Sequence, residues 1–191
     1  MAVIRKVRSV FRIIAFLFRN ILFSFKMRPF EELEFDTFTM EPLRRKNVNV
    51  IFEVYKQLND GNELSLEKRL LLWIIGKKFC YVLRSKDGTI FGMGLYYFNK
   101  RDIIEKTIHE GYVGLKTRYR GLGIGTQARK CALEHFAKFH FLNGVSSRVS
   151  LDNLPSLKGN IKLGFEVKEQ YWDDNMKNER VYLVCSLERY R

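Results

Sequence analysis

The chain lacks closely spaced cysteines. Its three cysteines, Cys80, Cys131 and Cys185, stand more than fifty residues apart in a chain of 191 residues. Zinc sites and redox motifs place two cysteines within a few residues of each other, so the spacing predicts neither a metal site nor a redox site. An odd number of separated thiols is typical of a reducing compartment. We therefore expect three free thiols that act as small apolar side chains.

Acidic residues are absent from the first 30 positions, which hold seven basic residues. The rest of the chain carries 27 basic and 21 acidic residues. Much of the formal net charge of +13 therefore sits in one N-terminal segment, and the remainder of the chain is only mildly basic.

Long uncharged runs are also missing from this segment. The longest, 13–18 and 20–25, are six residues each, whereas a membrane-spanning helix needs roughly 20 apolar residues. Apolar residues instead recur at steps of three and four, the pattern of one apolar helix face. The residues of this apolar face are Ile4, Val7, Phe11, Ile14, Phe18, Leu22 and Phe25.

An apolar helix face bordered by arginines and lysines is typical of a helix that lies in a membrane interface. We expect residues 1–28 to contact an anionic membrane surface, and the protein to be cytoplasmic and peripheral on the inner face of the membrane. Two alternatives remain open: the helix docks on its own domain or on a partner subunit, or it is an organelle presequence. Nucleic acid is disfavoured as a partner, because it offers the apolar face nothing to bind.

Pro29 follows the helical pattern and predicts a boundary, with an amphipathic basic helix at 1–30 and a globular domain at 31–191. In the second part, strand-like and helix-like segments alternate unevenly, and Asp87-Gly88 predicts a hairpin. We expect an α/β fold with a mixed, mostly antiparallel central sheet flanked by helices.

Three glycines stand within five residues, at Gly121, Gly123 and Gly125, directly before a helical stretch. Such a loop exposes its amides at the positive end of a helix dipole, which favours a phosphate or pyrophosphate. A dinucleotide fingerprint is excluded because Thr126 stands where the third glycine is required, and a Walker loop is excluded because no Gly-Lys follows.

The loop resembles the acyl-CoA loop of the GNAT N-acetyltransferases. That family's Arg/Gln-x-x-Gly-x-Gly/Ala pattern is matched by Arg120, Gly123 and Gly125. A second block of that family, Asn-x-x-Ala-x-x-x-Tyr-x-x-x-Gly-Phe, is similar to this chain at Asn153, Ser156, Asn160, Gly164 and Phe165. The resemblance implies a GNAT-like fold over roughly residues 33–187.

The resemblance also implies how acetyl-CoA would bind as a cosubstrate, with no metal. Backbone groups of a strand would pair with the pantetheine arm, and loop amides would bind the pyrophosphate. The residues assigned in this way are Val113, Gly114, Leu115, Arg120, Gly121, Leu122, Gly123, Ile124, Gly125, Thr126, Asn153 and Ser156.

Acetyl transfer needs an acceptor for the amine proton and a partner for the departing thiolate. The position that carries the proton acceptor in relatives falls on His109 with Glu110 beside it, and the two face opposite sides of a regular strand. His109, Glu110 and water alone all remain candidates for the base. Asn160 replaces the family's tyrosine, which protonates the thiolate, and an amide there can donate a hydrogen bond to sulfur.

The sequence therefore predicts an acetyl-CoA-dependent N-acetyltransferase that acts on a primary amine of a small acceptor. The missing tyrosine motivates one alternative, a non-catalytic acyl-CoA-binding module.

Overall fold

A computed structural model describes residues 2–191, with side chains from residue 8 onwards. The chain divides into two compact units, residues 1–93 and residues 94–191. The α-helices are α1 (Ala2–Ser24), α2 (Val48–Leu58), α3 (Leu66–Phe79), α4 (Lys100–Glu105), α5 (Ile124–Ala137) and α6 (Leu154–Lys162). The strands are β1 (Leu33–Glu34), β2 (Phe38–Pro42), β3 (Cys80–Ser85), β4 (Ile90–Tyr97), β5 (Thr107–Leu115), β6 (Gly144–Ser150), β7 (Phe165–Asp173) and β8 (Asn178–Ser186).

In the first unit, α1 packs against α3 with the side of the helix that carries Asn20 and Ser24, both buried. The Lys78 ammonium donates a hydrogen bond to the Ser24 carbonyl at 2.6 Å, and the Phe30 amide donates to the Lys77 carbonyl at 3.1 Å. β2 pairs antiparallel with both β1 and β3. The alternating pattern over 33–39 predicts a single first strand, but the structure has a short hairpin there, β1 and β2.

The apolar face of α1 is exposed rather than packed. The side chains of Phe11, Ile14, Phe18, Leu22 and Phe25 are between 52% and 79% exposed. Those of Ile4 and Val7, which belong to the same predicted face, lie outside the described residues. Of the helices described, none is both long enough and apolar enough to cross a bilayer.

The second unit contains the glycine loop and β5, the strand that precedes it. β5 runs parallel to β6, and β6, β8 and β7 pair antiparallel in that order. The β5–β6 pairing begins at Thr107 and Gly144 and ends at Glu110 and Ser147. β5 nevertheless continues to Leu115, so its last five residues lie beyond its register with β6. The two strands diverge there.

A second element also differs from the expectation. The sequence pattern predicts a strand from Ile104, but residues 100–105 form the short helix α4 and β5 begins only at Thr107. A capping box explains the helix: the Asn99 side chain accepts from the backbone of Asp102, and the Asp102 side chain accepts from the backbone of Asn99.

The predicted fold class is confirmed. The chain is mixed α/β, and within its two units antiparallel strand pairs outnumber the one parallel pair, β5 with β6. The N-terminal helix is present as predicted.

Candidate functional site

The glycine loop enters α5 through two left-handed residues. Gly121 has φ +77° and Gly123, the residue that caps the N-terminus of α5, has φ +76°. An added Cβ atom at either position would have no heavy atom within 4 Å. Both glycines therefore combine a backbone conformation that side chains disfavour with open space in front of the loop.

Gly125 differs from the other two. It lies inside α5 without a positive φ, and an added Cβ would contact the Leu115 side chain at 3.4 Å. The three glycines therefore do not share the same surroundings. Gly125 instead brings the first turn of α5 close to the end of β5.

The loop is tied back to β5 by the side chain of Arg120, whose Nε donates to the Leu115 carbonyl at 2.9 Å. The first N–H groups of a helix have no carbonyl partner within that helix. In α5 these groups stand beside the diverging end of β5, so an extended chain and an anionic group can be bound next to each other.

Glu110 is buried in an ion pair with Arg129 of α5. The Arg129 Nε lies 3.1 and 3.2 Å from the two carboxylate oxygens. Tyr96 and Ser147 donate hydroxyl hydrogen bonds to the same carboxylate at 3.3 and 3.4 Å. Because a carboxylate has about four acceptor positions, the acceptor capacity of Glu110 is used by these partners.

The same arginine joins the two sequence blocks. The Arg129 Nη2 donates to the Ser156 hydroxyl of α6 at 3.2 Å. Asn153 caps α6, and its side-chain oxygen accepts from the Ser156 amide at 3.2 Å. Glu110 and Ser156 are thus brought together through Arg129, whereas Asn153 acts as a helix cap.

His109 points to the other face of β5. Its Nδ1 lies 2.9 Å from the Ser146 hydroxyl, which donates to Asp102 at 2.6 Å. The ring also contacts Tyr97, with centroids 5.3 Å apart. His109 and Glu110 therefore contact neighbouring β6 residues on opposite sides of the sheet, as the alternation of a regular strand predicts.

Asn160 of α6 is fully buried, and both polar atoms of its side-chain amide lack a hydrogen-bond partner in the described part of the chain. Buried amides almost always have partners, because an unmade hydrogen bond costs about 1–3 kcal/mol. The adjacent Gly159 lies near the Arg129 guanidinium and the Thr126 hydroxyl. Asn160 therefore belongs to the same neighbourhood as the start of α5 and has unused hydrogen-bonding capacity.

A cavity of about 530 Å³ in the second unit lies at the other end of β5 from the glycine loop. It is lined by the N-terminal ends of β5 and β6 together with α4, β7 and β8, and none of the sequence-predicted site residues contributes to it. Its charged lining residues have both signs: Arg101, Lys168, Arg189, Glu105 and Glu166. Burial raises the pKa of Tyr182, another lining residue, to about 12.

Three residues of the site, Arg129, Ser146 and Asp102, are not predicted from the sequence. The sequence does carry a signal for Arg129, because its spacing places it on the helix face of Ala132, Leu133 and Phe136. In the structure all four residues are buried. No local signal existed for Asp102 and Ser146, which are 44 residues apart and meet only through the fold.

Comparison with known proteins identifies a family for the chain. The profile of the acetyltransferase (GNAT) family matches residues 47–165. No curated protein matches the chain in sequence.

Solved structures share the fold at low sequence identity. A GnaT-family acetyltransferase from Bordetella pertussis is 18% identical with a TM-score of 0.65, over 81% of this chain and 99% of that one. The ribosomal-protein-S5-alanine acetyltransferase from Vibrio fischeri is 16% identical with a TM-score of 0.66, over 84% and 99%. Mutant forms of the spermidine/spermine N-acetyltransferase SpeG from Vibrio cholerae are 11% identical with a TM-score of 0.62, over 80% and 95%.

The Glu110–Arg129 pair generates a stability prediction. Replacing Glu110 with Gln leaves the Arg129 charge buried without a counter-charge, which destabilises a protein by roughly 3–5 kcal/mol. The matched control is Glu134→Gln, which breaks the exposed Lys130–Glu134 pair of the same helix and should change stability by less than about 0.5 kcal/mol. Urea unfolding of the three proteins measures the difference. Equal stability of the two variants would contradict a structural role for the buried pair.

Proposed function

Because this chain belongs to the GNAT acetyltransferase family, whose cosubstrate is acetyl-CoA, we propose that it transfers an acetyl group from acetyl-CoA to a primary amine of a small acceptor. The observation that carries the proposal is the divergence of β5 from β6 beyond Glu110, directly beside the glycine loop and the N-terminus of α5.

Acetyl-CoA fits this arrangement as an extended substrate. We assign the backbone of Val113–Leu115 to the pantetheine arm, since these residues lie beyond the register with β6. The amides of residues 121–126 bind the pyrophosphate at the helix N-terminus. Arg120 holds the loop against β5, and Asn153 and Ser156 order the start of α6 beside it.

The loop assignment is tested by Gly123→Val. A side chain at this position both occupies the open space and opposes the positive φ, so acetyl-CoA affinity measured by calorimetry should fall at least tenfold. Gly88→Val is the matched control and should keep its acetyl-CoA affinity. Gly88 has φ +87° and equally open surroundings, but it lies in the turn between β3 and β4. It carries the same backbone cost. Equal affinity of the two folded variants would contradict the assignment.

We propose that His109 receives the proton of the acceptor amine. Glu110, the alternative base, is committed to Arg129, Tyr96 and Ser147, and accepting a proton there would weaken a buried ion pair. Imidazole in general has an unperturbed pKa near 6.5 and is the usual side chain for this task near neutral pH.

Asn160 is proposed to stabilise the departing thiolate. Its buried amide has N–H groups that no described residue accepts, and an N–H directed at developing negative charge stabilises the transition state. We place the thioester between the diverging strands. His109 lies on one face of β5, and Asn160 lies on the other face, beside the start of α5, so in this proposal the two groups act from opposite sides.

Asn160→Leu tests this role, because leucine keeps the apolar bulk and removes the donor. We expect kcat at saturating acetyl-CoA to fall on the order of 10²-fold, with little change in KM for the amine. Asn160→Asp is unsuitable because it would bury a charge, whereas Asn160→Gln retains the donor and serves as the control. An unchanged kcat in Asn160→Leu would remove Asn160 from the site.

The function itself is tested by acetyl transfer with the purified full-length protein. The acceptor panel includes a polyamine and a peptide with N-terminal alanine, after the acceptors named for SpeG and for the ribosomal-protein acetyltransferase, together with an amino sugar. Mass spectrometry should detect one acetylated amine. Tight acetyl-CoA binding with no transfer to any amine, and no hydrolysis, would support the alternative, a non-catalytic acyl-CoA-binding module.

We further propose that residues 1–30 form a docking segment that holds the catalytic domain, residues 31–191, on the inner face of an anionic membrane as a cytoplasmic protein. Two observations support this. Five large apolar side chains, four in α1 and one directly after it, are more than half exposed. Four basic residues of the same segment are also exposed: Arg8, Arg12, Lys26 and Arg28. Each cation near an anionic surface contributes about 1 kcal/mol.

The triple variant Phe11→Gln, Phe18→Gln, Phe25→Gln should lose binding to vesicles that contain phosphatidylserine, in a sedimentation assay at low salt. All three residues are at least 68% exposed, so their replacement should leave the fold intact. Ile104→Gln is the control, because Ile104 is 82% exposed elsewhere on the protein. Undiminished sedimentation of the triple variant would contradict membrane docking and favour a partner protein for this helix.

A further inference from the structure

Three buried side chains, His109, Ser146 and Asp102, are joined by hydrogen bonds in that order. The His109 Nδ1 lies 2.9 Å from the Ser146 Oγ, and the Ser146 Oγ lies 2.6 Å from the Asp102 Oδ1. His109, Ser146 and Asp102 are 4%, 0% and 2% exposed. Water therefore has little access to the hydrogen bonds between them.

The carboxylate at the end of this chain is fixed in orientation. Its Oδ2 accepts from the Asn99 amide at 2.9 Å as part of the capping box of α4. Its Oδ1 accepts from the Thr107 hydroxyl at 2.9 Å as well as from Ser146. Both oxygens of Asp102 thus act as acceptors, and the backbone at the start of α4 sets their direction.

The direction of each proton along the chain follows from this arrangement. A serine hydroxyl has a single proton, and hydrogen bonds to a carboxylate are stronger than those between neutral groups. The Ser146 proton is therefore donated to Asp102. In the hydrogen bond between Ser146 and His109, the Ser146 oxygen must then be the acceptor. Nδ1 of His109 must carry a hydrogen, so the neutral ring has its lone pair on Nε2.

We propose, on the basis of the function proposed above, that Asp102 and Ser146 are positioning residues that hold His109 in the Nδ1–H tautomer. In the reaction an N–H bond of the acceptor ammonium breaks and an Nε2–H bond forms, while the amine nitrogen keeps the electron pair with which it attacks the thioester carbonyl. The carbon–sulfur bond then breaks with its electron pair on sulfur, and a second N–H proton of the adduct goes to the departing thiolate. The imidazolium releases its own proton to water. Without the hydrogen bonds of Ser146 and Asp102, His109 could adopt the opposite tautomer. That tautomer would present an N–H to the ammonium and could not accept its proton.

The ring plane has a second support. Tyr97 contacts the His109 ring at an interplanar angle of 61°. It can lie there because residue 111 is a glycine: an added Cβ at Gly111 would come within 2.1 Å of the Tyr97 ring. The histidine is therefore held by a hydrogen bond at one ring nitrogen and by a T-shaped contact with an aromatic ring.

The test is nitrogen NMR of the full-length protein labelled in its histidines, with His135→Gln and His140→Gln used for assignment. We expect His109 Nδ1 to show the shift of a protonated ring nitrogen and Nε2 that of an unprotonated one in the neutral form. Ser146→Ala should abolish this preference, and Ser146→Thr, which keeps the hydroxyl, should restore it. Ser147→Ala is the matched control: it is the next residue of β6, equally buried, but bonded to Glu110.

A kinetic measurement completes the test. Ser146→Ala should lower kcat/KM for the amine on the order of 10²-fold while leaving acetyl-CoA affinity unchanged. A wild-type protein with hydrogen on Nε2 would overturn the proposal without any variant, as would a Ser146→Ala protein with unaltered tautomer or unaltered kcat/KM. Failure of the proposed function would show itself separately, as the absence of acetyl transfer by the wild-type protein whatever the NMR result.

Discussion

The buried ion pair between Glu110 and Arg129 determines how the glycine loop is presented. Glu110 stands at the last β5 residue in register with β6, and Arg129 stands in the second turn of α5. Joining them fixes α5 against β5 at the point where the strands diverge. The N–H groups at the start of the helix are then directed at the space that the divergence opens. Because a buried charge without a partner is strongly destabilising, the ion pair holds α5 at this position on β5.

Two consecutive residues of β5 therefore serve different purposes. Glu110 faces α5 and α6 and is saturated by its partners, while His109 faces the opposite side and is joined to α4 through Ser146 and Asp102. The alternation of a strand separates a structural charge from a group proposed to exchange a proton. A single substitution on one face leaves the hydrogen bonds of the other face in place, which allows stability and chemistry to be examined separately.

Local patterns in the sequence predicted the glycine loop, α5 and the amphipathic character of α1, because each depends on residues close in the chain. They failed where a local signal was overlooked and where distant groups decide the outcome. Ile103 and Ile104 resemble a strand, but the capping box of Asn99 and Asp102 makes a helix there. The side of α1 that packs on α3 carries the polar Asn20 and Ser24, which no hydrophobic pattern indicates. The Asp102–Ser146 contact likewise has no local signature.

The central claim, that acetyl-CoA lies between the diverging strands and the glycine loop, is tested most directly by hydrogen exchange of the full-length protein with and without acetyl-CoA. Amides ordered by a ligand exchange more slowly. We expect protection at residues 111–115 and 121–126 and no change around the cavity lined by Arg101, Lys168 and Arg189. Protection confined to that cavity, with the loop and the end of β5 unchanged, would contradict the claim.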